Sequence, residues 1–304
     1  MSFLLVPILK YLVAIPLLGF IVSLFAPAKM EKPVAAIAFA TVGIHWVCSW
    51  LFIAIWLFGD HHTYQTMEFS LYESPTYSFF ISFYFDKITA TFLFIGSFLI
   101  FLITIYCHYY LHRDRGYKRF FNAVLLFYLG YNFVILSGNF ETLFIGWEIL
   151  GICSFMLIGF YRDRFLPVKN ALKVFTVFRL ADMGLLFTIW LSHHLWHENI
   201  TFTKLLDSEL VFTQTHEHMA ISIAISLMIL LAAAVKSAQF PFTSWLPRAM
   251  EGPTPSSAIF YGSLSVHLGV YLLLRTYPFW ESLTPIVILV IVIGLVTSIL
   301  STLI

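Results

Sequence analysis

Charge is scarce in this chain. Of its 304 residues only 11% are Asp, Glu, Lys or Arg, while 60% are hydrophobic. A soluble domain carries about 25% charged residues, so the scarcity excludes an ordinary soluble fold and points to an integral membrane protein. Cysteine is scarce too. Cys48, Cys107 and Cys153 stand singly in apolar segments with no CxxC, which excludes a disulfide framework and a cysteine-held iron–sulfur cluster and leaves them as core packing. No Gly-rich nucleotide loop occurs, and no cofactor is expected. The N-terminus has neither a basic leader nor a small-residue cleavage site, so its first apolar run is expected to be a retained span.

What the chain does have is apolar length. Mean hydropathy is +0.88, and stretches of membrane-crossing length recur throughout, which argues helices rather than the weak alternation of a barrel. The fold class expected is an all-α membrane protein of nine spans, at about 3–26, 34–58, 86–111, 120–138, 142–161, 174–192, 219–240, 254–275 and 283–304. Lys29, Lys32, Arg113, Arg115, Lys118, Arg119, Arg162, Arg164, Lys169, Lys173 and Arg248 fall in one set of alternate connections; Lys87, Lys204 and Arg275 fall in the other. That bias places the basic loops in the cytoplasm and the N-terminus outside, in a cell inner membrane. Residues 59–85 are aromatic and β-prone, an external hairpin lying over the mouth of the bundle. Residues 193–218 carry His193, His194, His197, His216 and His218; their spacing fits no standard ligand set, so no metal site is expected.

Charges inside the spans are the chemically informative residues. Glu148 lies in the fifth span, Arg179 and Asp182 three residues apart on one face of the sixth, with Lys173 before them. Lys236 is the lone charge of the seventh span, and Pro241 follows within two turns. An elbow of Pro247, Gly252, Pro253 and Pro255 leads on to an eighth span holding His267 near Tyr261, Ser263 and Ser265. A lysine in a spanning helix costs roughly 2.5–3.5 kcal/mol on insertion scales, and a proline leaves carbonyls without donors. Both costs fit a polar pathway inside protein. A lysine snorkelling to the interface fits the same stretch; His267 with the hydroxyls of Tyr261, Ser263 and Ser265 would extend a proton relay from Lys236, and a hydrogen-bonded core histidine fits His267 equally. Glu148 and Lys236, deep and without local partners, form the obvious interhelical pair; their proximity would govern proton release and uptake. Arg179 and Asp182 are read first as a structural ion pair.

The segments NFETLFIGWEILGICSFMLIGFY, NALKVFTVFRLADM and KSAQFPFTSWLPRAMEGPTPSSA resemble the antiporter-like subunits of respiratory complex I and of multisubunit Na+/H+ antiporters, over about 112–275. The resemblance implies a bundle of inverted five-helix repeats, each with a broken helix, here near 236–247. It implies that Glu148 and Lys236 are the paired glutamate and lysine of a half-channel, and that Lys173, Arg179 and Asp182 match the family positions on the sixth span. Residues 1–115 would be the leading helices, 116–275 the repeat with the ion pathway, and 276–304 the start of a second repeat, cut short at Ile304. The family's usual histidine position is Tyr261 here, with His267 six residues later. EGPTPSSAIFYGSLSVHLG is similar to the membrane subunit of DAB-type inorganic-carbon pumps. That group implies a zinc-containing, carbonic-anhydrase-like partner.

The leading expectation is therefore a proton- or Na+-translocating subunit of an inorganic-carbon uptake complex. The alternative is a proton-pumping subunit of a complex I-like NADH:quinone oxidoreductase, with other membrane subunits as partners. A third reading, a non-conducting membrane scaffold, needs none of the buried charges to titrate.

Overall fold

Backbone in lipid must satisfy its own hydrogen bonds, so apolar runs coil into helices. The computed structural model describes residues 6–27, 30–59, 61–74, 77–259 and 264–303. It opens with helices α1 (Leu9–Phe25) and α2 (Glu31–Leu57), then a hairpin of β1 (Tyr64–Glu73) and β2 (Ser78–Phe85). Helices α3 (Lys87–Tyr110), α4 (Tyr117–Ile135), α5 (Phe140–Ile158), α6 (Phe165–Trp196), α7 (Ser208–Glu217) and α8 (Met219–Lys236) follow. After two short 3-10 turns come α9 (Thr254–Ser257), α10 (His267–Trp280) and α11 (Thr284–Leu303).

Among the described residues six helices, α2, α3, α5, α6, α8 and α11, are long and apolar enough to cross a membrane. The expectation of nine departs from this in three places. Helix α1 is apolar but has only 17 residues. Helix α4 buries fourteen of its 19 residues; surrounded by protein, it carries Tyr128, Tyr131 and Asn132 where a lipid-facing helix would be aliphatic. Of the eighth expected span the described residues give α9, Thr254–Ser257, and α10, from His267, while 260–263 lie outside them. The seventh, expected to reach 240, ends at Lys236. The sixth runs longer than expected, through 32 residues.

Helices α4 and α5 pack together, α5 against α6, and α6 against α8, while α10 covers the other side of α8. Close approach of α4 and α5 needs glycine: a Cβ on Gly146 would sit 2.7 Å from the Gly130 carbonyl oxygen.

The expected hairpin forms, with Tyr64 opposite Phe85 and Glu73 opposite Ser78. It is stitched to the turn between α4 and α5. The Gly138 amide donates to the Ser82 carbonyl at 2.7 Å and the Tyr84 amide to the Leu136 carbonyl at 2.8 Å. Asn139 joins the two structures. Its Oδ1 caps α5 by accepting from the Thr142 amide at 2.9 Å, and its Nδ2 donates to the Phe80 carbonyl at 3.0 Å. An N-cap of this kind contributes about 1 kcal/mol, and here it also fixes where the first turn of α5 sits beneath β2.

Candidate functional site

The helix break sets the site. At the end of α8 the Ser237 amide still reaches the Ala233 carbonyl at 2.9 Å, and the chain then turns through Ala238, whose φ is 52°. The Val235 carbonyl takes a long bond of 3.3 Å from the Ala238 amide and accepts a shorter one from Trp245 Nε1 at 2.9 Å. The elbow is tied to α6 by Asn170 Nδ2, which donates to Glu251 Oε1 at 3.2 Å. At Gly252 a Cβ would lie 2.6 Å from the Leu157 carbonyl oxygen. That glycine lets the elbow lie on the end of α5. Pro253 and Pro255 are buried beside it, whereas Pro241 is exposed.

Lys236, the last residue of α8, is 0% exposed. Its ammonium lies 4.8 Å from the centre of the Trp147 ring and 4.6 Å from that of Phe178. It has no hydrogen-bond partner among the described residues. Two aromatic faces supply part of the stabilisation that water would give a cation, on the order of 2 kcal/mol or more where the contact is desolvated.

Each ring precedes a charge in sequence. Trp147 is followed by Glu148 and Phe178 by Arg179, and a step of one residue turns the side chain about 100° around the helix. Glu148 Oε2 lies 2.9 Å from Arg179 Nη1. Arg179 Nη2 lies 2.8 Å from Asp182 Oδ2 but off the N–H direction, a charge contact more than a hydrogen bond. The guanidinium also sits 4.5 Å from the Phe175 ring centre. Arg179 therefore bridges the two carboxylates, and Glu148, the expected interhelical partner of Lys236, is held by the arginine. Among the described residues no carboxylate is within ion-pair distance of Lys236. The reason is reach and shape: a planar fork on a long stem spans two acids at once, while the lysine head is held between rings.

The remaining expected residues divide. Lys173 is half-buried on α6, six residues or about 9 Å along the axis from Arg179. His267 is the first residue of α10 and is exposed in this chain, not mid-helix as expected. Ser265 is buried, its hydroxyl without a partner among the described residues. Tyr261 and Ser263 lie outside the described residues.

Sequence reasoning missed two buried polar clusters. Arg275, counted with the cations of the connections at the end of the eighth span, lies inside α10 and is 5% exposed. It grips Asp86 by two bonds of 2.8 and 3.1 Å and donates to Thr89 Oγ1 at 2.7 Å. Glu141, in the first turn of α5, is 4% exposed and accepts from the Tyr77 hydroxyl at 3.4 Å. Burial, then the adjacent Glu141 charge, pushes the Tyr77 phenol up to about 12, so it stays a donor at neutral pH.

Comparison with known proteins gives these geometries a context. Residues 137–304 match the family described as NADH:quinone oxidoreductase/Mrp antiporter, transmembrane, and residues 72–121 match the N-terminus of chain 5 of NADH-ubiquinone oxidoreductase (complex I). The chain is 34% identical over 302 residues to NAD(P)H-quinone oxidoreductase subunit 5 of Paulinella chromatophora, covering 97% of this chain and 44% of that one. It is 30% identical over 293 residues to NADH-quinone oxidoreductase subunit L of Escherichia coli, covering 95% of this chain and 47% of that one. It thus spans about half the length of these relatives. Among solved structures, one in the Mrp complex from Dietzia sp. aligns with a TM-score of 0.75 at 24% identity, covering 90% of this chain and 29% of that one. That likeness is one of fold.

Proposed function

The chain belongs to the transmembrane family shared by NADH:quinone oxidoreductases and Mrp antiporters, and from that premise we propose that it carries protons through the bundle as one membrane subunit of a complex I-like assembly. The observation that carries the reading is Lys236, a wholly buried ammonium without a hydrogen-bond partner among the described residues, beside an Arg179 bridge between two carboxylates. Such a lysine changes the local charge by one when it gives up its proton, and the bridge responds because both acids and the guanidinium are close enough to feel it. Glu148 is the adjustable member: holding Arg179 keeps it paired, and releasing Arg179 leaves it free to draw on the lysine's charge. The helix ends at Lys236, so the lysine stands where the chain turns into the elbow, and a broken helix of this kind is tolerated inside a membrane where protein surrounds it. Other membrane subunits of the same assembly are the partners in this reading, and a cell inner membrane is its location.

The test is NADH-driven acidification of inverted membrane vesicles from cells carrying the native assembly. Lys236→Ala is expected to abolish the pH change with the subunit still at wild-type level in the membrane. An undiminished pH change in that variant refutes the reading.

A second reading rests on one specific stretch, EGPTPSSAIFYGSLSVHLG, whose Tyr261 and His267 depart from the usual quinone-oxidoreductase pattern. It makes the chain the ion-driven half of an inorganic-carbon uptake complex with a zinc-containing, carbonic-anhydrase-like partner. Rescue of a carbonic anhydrase-deficient strain at ambient CO2, by this subunit and its encoded neighbour, would favour it. Failure to rescue, with NADH-driven pumping intact, decides for the first.

A further inference from the structure

Glu141 and Glu148 are seven residues apart on α5. Seven residues are two turns, so the two carboxylates share a helix face and stand about 10 Å apart along the axis. Glu148 is at the Arg179 bridge, whereas Glu141 is under the hairpin, at the Asn139-capped end of the helix. Its side chain is buried, and Oε2 has no hydrogen-bond partner among the described residues. No ion pair to Glu141 forms among them either. An acceptor oxygen left unpaired in the interior costs free energy, of order 1–3 kcal/mol and more when charged. Among the described residues only Oε1 has a side-chain partner, the Tyr77 hydroxyl.

Two titratable side chains lead from it to the surface. Tyr77, the residue before β2, donates to Glu141 Oε1. The Tyr77 ring meets the His193 ring edge-on at 5.1 Å between centres, at the far end of α6. His193 is fixed by Asn199, whose Oδ1 lies 3.2 Å from Nδ1 and whose Nδ2 donates to the Ser78 carbonyl. Both Tyr77 and His193 are half-buried, so the row runs from interior to surface. Hairpin, α5 and α6 thus contribute one titratable group each.

We infer that Glu141 is a second proton-binding carboxyl on α5, the terminal station of the pathway at the hairpin end, exchanging its proton with bulk water past Tyr77 and His193. Oε2 binds the proton, turning the carboxylate into a neutral acid, and releases it again as a carboxylate; no other bond changes. The inference rests on the proton-translocation reading, for a terminal station has work only if the Lys236 site conducts.

The experiment uses the native assembly in proteoliposomes, with proton flux measured under an imposed membrane potential, and infrared difference spectra between acid and alkaline buffer on the same samples. Glu141→Gln keeps the acceptor for Tyr77 and the side-chain shape, and is expected to assemble normally. It should lower flux at least tenfold and delete one carboxyl C=O band that Glu148→Gln leaves in place. Glu141→Asp should restore much of the flux, and His193→Gln should slow it severalfold. Wild-type flux and an unchanged carboxyl band in Glu141→Gln would overturn the inference. Wild-type flux in Lys236→Ala would instead overturn the translocation reading beneath it. Glu141→Gln with the band lost but flux unchanged makes it a titrating bystander and also overturns the inference.

Discussion

Arg179, and not Lys236, holds Glu148: Nη1 lies 2.9 Å from Oε2, while the lysine ammonium faces Trp147, the residue just before that glutamate. One helix therefore presents a ring to the lysine and an acid to the arginine on adjacent positions. The glutamate's influence on Lys236 runs through space and through Arg179, with no bond to break.

If Arg179 is the intermediary, Glu148→Gln and Arg179→Ala should not add. Each alone is expected to lower proton flux roughly tenfold, and the double substitution little further, a coupling on the order of 1 kcal/mol as contacting residues show. A double-mutant cycle on flux in proteoliposomes measures it. Independent, multiplying effects would mean that the bridge is incidental.

The aromatic walls of Lys236 should matter for the charge they face. Phe178→Leu keeps apolar volume but removes one ring, and is expected to weaken the cation's hold by about 1–2 kcal/mol. The alkaline limb of the flux–pH profile should then move to lower pH, because a less stabilised ammonium loses its proton sooner. A profile that keeps its position while only amplitude falls would assign Phe178 to packing alone.

The Arg275–Asp86 clamp makes a stability prediction. Asp86→Ala leaves a buried guanidinium uncompensated and removes the cap of α3, since Asp86 Oδ1 accepts from the Thr89 amide at 2.9 Å. A cost of about 3–5 kcal/mol is expected, read as a large drop in the detergent-solubilised melting temperature. Arg275→Met combined with Asp86→Ala should recover part of it, because the stranded charge goes too while the cap stays lost. No recovery would place the cost in the cap.

Much of the architecture was legible beforehand. Apolar runs marked the long helices, aromatic alternation marked the hairpin, and Pro241 with the Gly252–Pro255 elbow marked the helix break. What stayed hidden follows from burial by protein instead of lipid. Helix α4 is polar enough to weaken its own signal because its neighbours are helices, and Arg275 reads as a cation at the end of a span until Asp86 is seen 2.8 Å away. The candidate residues Glu148, Arg179, Asp182 and Lys236 stood out by charge alone, but helical periodicity gives faces and not partners. It could not foresee that rings, residues with no charge to notice, would surround the lysine. The seven-residue spacing of Glu141 and Glu148 was available in the sequence as a shared face; its burial was not.

Asn139 offers a local check on how the hairpin positions α5. Asn139→Ala removes the cap and the Phe80 bond together, and is expected to cost about 2 kcal/mol against about 1 kcal/mol for an ordinary cap. Proteolysis in the hairpin should quicken in step with the loss of thermal stability. A hairpin as resistant as wild type would separate the cap from the seam.

The central claim is that a proton passes by way of Lys236 under the influence of the Glu148–Arg179–Asp182 bridge. Its most direct test is initial proton flux into proteoliposomes of the native assembly under an imposed potential, for wild type, Lys236→Ala and Glu148→Gln at equal reconstituted protein. The account expects flux in wild type, none above leak in Lys236→Ala, and a roughly tenfold loss in Glu148→Gln. Equal flux in all three would contradict it and leave the buried charges as scaffold.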